Sequence, residues 1–136
     1  MEAIRQSQFK NSFFDRENHI FMDVWLPASG EMHLDEFQAE VLAQTELISK
    51  LGAKLVLLNA NHFNYTVVPD VQDWVVEIVF GQWIEFGVKK VAVMVSAELV
   101  PQLSVEQTFS EEKSDSFQTL YFDSQAKAID WLLGKA

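Results

Sequence analysis

Cysteine is absent from the 136 residues, which rules out disulfides, thiolate nucleophiles and cysteine-ligated zinc or iron–sulfur centres. A chain without thiols fits a reducing compartment. Positive charge is in short supply: ten Lys and Arg stand against twenty Asp and Glu, a formal net charge of −10. Nucleic-acid binding needs a basic face that displaces counterions from phosphates. The clustered cations here are only Lys89 and Lys90, beside an apolar run. An anionic membrane surface is disfavoured for the same reason. Long apolar runs are missing as well. Stretches such as Leu55 to Leu58 fall far short of the roughly 20 residues that span a bilayer. The opening MEAIRQSQFKNSFF has neither the apolar run nor the small-residue cleavage site of a secretory signal. A cytoplasmic location with no membrane span is the expectation.

What is present is a 49% hydrophobic chain rich in Phe, long enough to bury one core without covalent staples. Residues 12–15 and 19–26 are apolar-rich and flank the turn-forming Asp15-Arg16-Glu17-Asn18, which predicts an antiparallel hairpin. Between Leu34 and Leu51, apolar residues recur at Phe37, Val41, Leu42 and Ile48, one face of a helix that Gly52 is placed to end. His33 occupies the expected cap, where Ser, Thr or Asp would serve better. Residues 54–59 and 90–96 are short, nearly continuous apolar runs, the pattern of strands covered on both faces. Pro69 opens a helix expected to run to Phe86, before Gly87. Ser96 is positioned to cap a further helix through Leu99, Leu103 and Phe109, with residues 110–116 a polar loop. A last strand over residues 117–122 and a helix capped by Asp123 or Ser124 complete the chain. Strands alternating with helices predict an α/β fold, here a mixed, mostly parallel five-stranded sheet with an antiparallel hairpin strand at its start and about four helices. No linker or repeat suggests a second domain.

In open α/β sheets, ligands gather beyond the carboxyl ends of the parallel strands. The loop after residues 54–59, NANHFNYT, is therefore the first place to look for a site. Asn61, His62, Phe63, Tyr65 and Thr66 offer rigid aromatic area and adaptable hydrogen bonds. His62 has no serine or cysteine nearby to activate, so it reads as a solvated or hydrogen-bonding residue rather than a general base. His19, His33 and His62 share no metal-binding spacing. The adjacent carboxylates Asp35–Glu36 suit a helix N-terminus, and Glu111–Glu112 a solvated surface. No enzyme activity, metal or cofactor is expected. The helix beginning at Pro69 is apolar nearly all round, with Val71, Trp74, Val75, Ile78, Phe80 and Trp83, so it must be covered on more than one side. Two covers are open: the sheet and neighbouring helices, or a homodimer interface or ligand groove built on Trp74, Phe80 and Trp83.

The order of elements, with HLDEFQAEV, KLVLLNAN, PDVQDW and YFDSQAKAIDWL, resembles the SpoIIAA-like group of STAS-type domains over residues 9–133, as a single domain of the whole chain. The resemblance implies a mixed sheet with helices packed on it. It also implies a non-enzymatic role: binding partner proteins and, in some relatives, nucleotides or other small molecules. In the anti-sigma-factor antagonists of that group a phosphorylatable serine follows the central strand in a D-S-S-G-like loop. Here NANHFNYT has no serine and no glycine, leaving Thr66, or less suitably Tyr65, as a phosphoacceptor. The alternative for Thr66 is a capping residue that bonds the backbone. Two functions stand: an interaction module that docks a protein partner or a second copy of itself, and a carrier or sensor of a small apolar ligand, as in the CRAL-TRIO-like lipid carriers. An apolar cavity would favour the second, a solid core with an exposed apolar patch the first.

Overall fold

The computed structural model describes residues 1–95 and 117–135. Six strands form one sheet in the order of the chain: β1 (Glu2–Gln6), β2 (Lys10–Asp15), β3 (Ile20–Trp25), β4 (Leu55–Asn59), β5 (Lys90–Met94) and β6 (Gln118–Phe122). β1, β2 and β3 pair antiparallel, and β3 through β6 pair parallel. The fold is thus α/β with a mixed sheet, but with six strands among the described residues rather than the expected five. The additional strand is β1, whose exposed, irregularly patterned EAIRQ carries no alternation to read. It exists through its pairing with β2 and slips register between Ala3 and Arg5.

The β2–β3 hairpin forms where the turn residues predict it. The Asp15 carboxylate accepts the Glu17 and Asn18 backbone N–H groups, both at 3.1 Å, and the Asn18 side-chain amide at 2.9 Å. These bonds hold the chain in the turn before His19 takes a left-handed φ of 56°. A 3-10 turn (Pro27–Glu31) leads into α1 (Leu34–Leu51). The His33 backbone N–H donates to Glu36 Oε1 at 2.9 Å at its start, and Gly52 closes it at φ 64°. The buried stripe of α1 differs from the expected one. Leu34 and Leu42 are more than two-fifths exposed, while Glu40, Gln44 and Thr45 are buried beside Phe37, Val41 and Ile48. With 3.6 residues per turn, Leu42 falls outside the stripe shared by Phe37, Val41, Gln44 and Ile48.

The second helix, α2, is continuous over residues 69–86. It begins as α-helix (Pro69–Trp74), widens to a π-helical stretch (Val75–Phe80) and ends as α-helix (Gly81–Phe86). Gly87, at φ 84°, terminates it. α3 (Gln125–Leu132) is capped by Ser124, whose Oγ accepts the Lys127 N–H at 3.4 Å. It buries Ala128 and Leu132, leaving Ala126 outside. The expected helix after Ser96 and the polar loop at 110–116 lie outside the described residues.

Period-two alternation divides the strands between two cores. Phe14, Phe21, Trp25, Val56, Leu58, Val91 and Val93 face α1 and α2. Ile20, Met22, Leu57, Ala92 and Met94 face α3. α1 and α2 therefore share one side of the sheet. None of the helices in the described residues is long and apolar enough to cross a membrane.

Candidate functional site

Neighbouring strands follow one another without reversal from β3 to β6, so among the described residues the sheet has no switch-point crevice at its carboxyl edge of the kind that usually holds a ligand. A cavity lies instead beneath that edge, between the sheet and the α1–α2 pair. Its volume is about 70 Å³. Trp25, Leu58 and Val93 contribute the sheet wall; Phe37, Val41 and Gln44 come from α1; Val75, Val79, Phe80 and Trp83 come from α2. The loop after β4 adds Ala60, Phe63 and Val67 to its wall. Of these thirteen residues only Gln44 is polar. Val75, Val79 and Phe80 all belong to the π-helical stretch, a deviation found more often at functional sites than elsewhere in helices.

The loop after β4 is fixed rather than loose. Ser29 Oγ accepts the Asn64 N–H at 2.9 Å and donates to the His62 carbonyl at 3.2 Å. The Asn64 side-chain amide reaches the Pro27 carbonyl at 3.2 Å, and Gln72 Nε2 reaches the Val67 carbonyl at 2.9 Å. Phe63 packs on Trp25 with ring centroids 4.9 Å apart, and Tyr65 stacks on Phe37 at 4.7 Å. Partial burial pushes the Tyr65 hydroxyl above its ordinary pKa.

The residues singled out from sequence separate into two groups. Phe63, Phe80 and Trp83 converge on the cavity. Tyr65 and Trp74 back the same core from half-buried positions. Asn61 is half-buried, and His62 and Thr66 are exposed on the outer side of the loop. Of the two covers open for this helix, the sheet and α1 are the ones that enclose Phe80 and Trp83, which at 2% and 1% exposed form no docking surface. Trp83 Nε1 donates to Thr45 Oγ1 at 3.1 Å on α1, so it is packed between helices rather than offered to a partner. Thr66 does not cap α2. The cap position is Val68, whose carbonyl accepts the Val71 and Gln72 N–H groups, and Pro69 occupies N1, where no N–H donor is needed.

Next to the cavity lies a group of polar side chains that sequence reasoning missed. Lys10 and Asp23 are fully buried, with Nζ and Oδ2 3.0 Å apart. The Lys10 ammonium also donates to the Glu40 carbonyl at 3.0 Å and to Gln44 Oε1 at 2.8 Å. It stands 4.4 Å from the Trp25 ring centroid, on the negative face of the π-system. Ser12 Oγ donates to Asp23 Oδ1 at 2.5 Å, the short contact of a charge-assisted bond. Asp23 Oδ2 receives no directed hydrogen bond among the described residues, so Lys10 holds it by charge. Burial lowers the Lys10 pKa and raises that of Asp23, and in each case the partner's charge pulls the other way. At the edge of the group, Arg5 Nη1 pairs with Glu40 Oε1 at 2.7 Å, which raises the Arg5 pKa chiefly through that hydrogen bond. The signal for these residues was available in pattern. Asp23 interrupts the apolar strand IFMDVW, and Glu40 and Gln44 share the stripe of Phe37, Val41 and Ile48.

No protein-family model matches the chain, and no curated protein or solved structure matches it either.

Proposed function

We propose that this chain is a non-catalytic binding domain that receives a small apolar molecule, or the end of an apolar chain, between the sheet and the α1–α2 pair. The observation that carries this reading is the cavity: about 70 Å³ of space with one polar residue in its wall. Close-packed interiors hold few voids larger than a water molecule, and dry apolar cavities of about 150 Å³ take up benzene or xenon. The volume here sets the scale of the occupant, below a benzene ring and far below the roughly 300 Å³ of a drug-sized site. The π-helical widening of α2 and the aromatic wall residue Phe63 support the same reading. So does the resemblance to STAS-type domains, whose roles are binding rather than catalysis.

An interaction role is favoured by one feature of the loop after β4. Phe63 and Val67 point into the cavity while His62, Thr66 and Val68 are exposed. A loop that touches the ligand with alternate residues offers the intervening ones to a protein partner, which makes a sensor the natural combination of the two functions. Phosphorylation of Thr66 would act on that outer side.

Xenon under pressure tests the cavity directly. In methyl-resolved NMR, it is expected to shift Val75, Val79 and Val93 while leaving the methyls facing α3 in place. Val79→Leu adds a methylene to the space and is expected to abolish those shifts, stabilising the fold by about 0.5–2 kcal/mol as cavity-filling substitutions do. Absence of xenon shifts in the unmodified protein defeats the reading.

A further inference from the structure

Gln44 is 3% exposed, and its side chain stands between the buried ion pair and the apolar cavity. Its two ends are chemically unequal. The end near Lys10 lies 2.8 Å from Nζ, and an ammonium has only hydrogens to offer. The atom facing Lys10 must therefore be the carbonyl oxygen, and the amide cannot be turned round without setting donor against donor. The NH₂ group is thereby directed away from Lys10. It finds no hydrogen-bond partner among the described residues, although the side chain is in the cavity wall. The enclosed side-chain atom without a hydrogen bond among the described residues is Asp23 Oδ2 and not Gln44 Nε2, so the Gln44 NH₂ group is open to an acceptor rather than sealed in the core.

Charge around this donor is balanced. Lys10 is paired with Asp23 and Arg5 with Glu40. The ammonium is already committed to Glu40 O, Gln44 Oε1 and Asp23. An anionic ligand would find no free cation here and would meet Asp23 across the same group. A neutral acceptor meets only the free N–H donors of Gln44.

We infer that the ligand of this cavity is a small neutral molecule with one hydrogen-bond acceptor, a carbonyl above all, received by Gln44 Nε2 with its apolar part against Val75, Val79 and Val93. This rests on the cavity reading and adds the polar group that the ligand must carry. Lys10 and Asp23 act as positioning residues, holding the Gln44 amide in the one orientation that leaves its donors toward the ligand.

The test uses the full chain, with acetone as the carbonyl probe and xenon as the purely apolar one. On adding acetone, the Gln44 side-chain Nε2–H resonances are expected to move together with the Val79 and Val93 methyls. Xenon moves the methyls without the hydrogen-bonding shift of the amide. Gln44→Glu keeps an oxygen toward Lys10 and replaces the donor with a second acceptor. It is expected to weaken acetone binding about tenfold, the scale of a lost hydrogen bond, and to leave xenon binding within about twofold. Gln44→Met removes the donor without adding charge, and should weaken acetone in the same direction. Should both variants fail to fold, the amide shift in the unmodified protein decides. Xenon binding with no amide response to acetone, or equal acetone affinity in folded Gln44→Glu, overturns the inference while the cavity reading stands. Failure of both probes overturns the two together.

Discussion

Replacing Lys10 by Met removes the cation from a site closed to bulk solvent. Lys10 and Asp23 are both 0% exposed, so Lys10→Met leaves a buried carboxylate whose remaining polar contact is Ser12. The Glu40 carbonyl and Gln44 Oε1 lose their donor at the same time. Breaking a buried pair from one side costs about 3–5 kcal/mol, a large part of the 5–15 kcal/mol that holds a domain together. For 136 residues the unfolding entropy is about 0.3 kcal/mol per kelvin, so the midpoint should fall by about 10–17 °C. The double variant Lys10→Met, Asp23→Asn no longer buries a charge in this pair and keeps a hydrogen-bonding group opposite Ser12. It should be more stable than Lys10→Met alone by about 1–3 kcal/mol, the range of coupling between groups in contact. The pH dependence gives a second signature. Burial raises the folded pKa of Asp23, and removing Lys10 takes away the charge that opposed the rise. The folded variant then binds more protons than the unfolded chain above the ordinary aspartate value, so its stability increases as pH falls toward that value. Urea unfolding of the unmodified protein, Lys10→Met, Asp23→Asn and the double variant at neutral and mildly acidic pH measures all of this. A Lys10→Met cost below about 1 kcal/mol, or single effects that simply add, would refute a desolvated, mutually dependent pair.

Trp83→Glu places a carboxylate where the indole is 1% exposed and should cost more than about 4 kcal/mol; circular dichroism is expected to show an unfolded chain, and a folded monomer would contradict the inward placement. Two glycines should respond in opposite directions. Gly87→Ala forces a side chain into φ 84° and should lose about 1–2 kcal/mol, whereas Gly81→Ala, with open space at its Cβ inside α2, should gain about 0.5–1 kcal/mol. Thermal melts of the two variants distinguish the cases. Asp15 carries an acid-sensitive contribution: its hydrogen bonds, first to the Asn18 side chain and then to the backbone, hold its pKa below the ordinary aspartate value. That stability is complete above the ordinary value and is lost as pH falls through the lower folded one. Asp15→Asn should therefore flatten the acid limb of a stability–pH curve, and an unchanged limb would remove Asp15 from the account.

Much of the architecture could be read along the chain because local chemistry specifies it. The helix from Leu34 to Leu51 ends where Gly52 allows a left-handed residue. The hairpin turns where Asp15 can bind the next two N–H groups. Strands β4 and β5 are legible as apolar runs because both of their faces are covered. β1 was not legible, since an exposed edge strand draws its order from the backbone of β2 rather than from its own side chains. The π-helical stretch was equally hidden, because VVEIVF has the composition of an ordinary buried helix. The site divides on the same line. Phe63, Phe80 and Trp83 were singled out for their size and aromaticity, but composition does not say which way a ring points.

The sequence by itself determined the alternation of strands and helices, the turns and caps, and the exclusion of thiol chemistry and of a basic nucleic-acid face. These follow from residue type and spacing over a few neighbouring positions. Only the tertiary structure decided that α1 and α2 share one face of the sheet, that Trp83 is enclosed between them, and that Lys10 meets Asp23 and Gln44 in a buried group beside an apolar cavity. Those positions are separated by 13 and 34 residues in the chain. The free energy of a buried charge or an unpaired donor depends on what folding brings around it, which no local pattern contains.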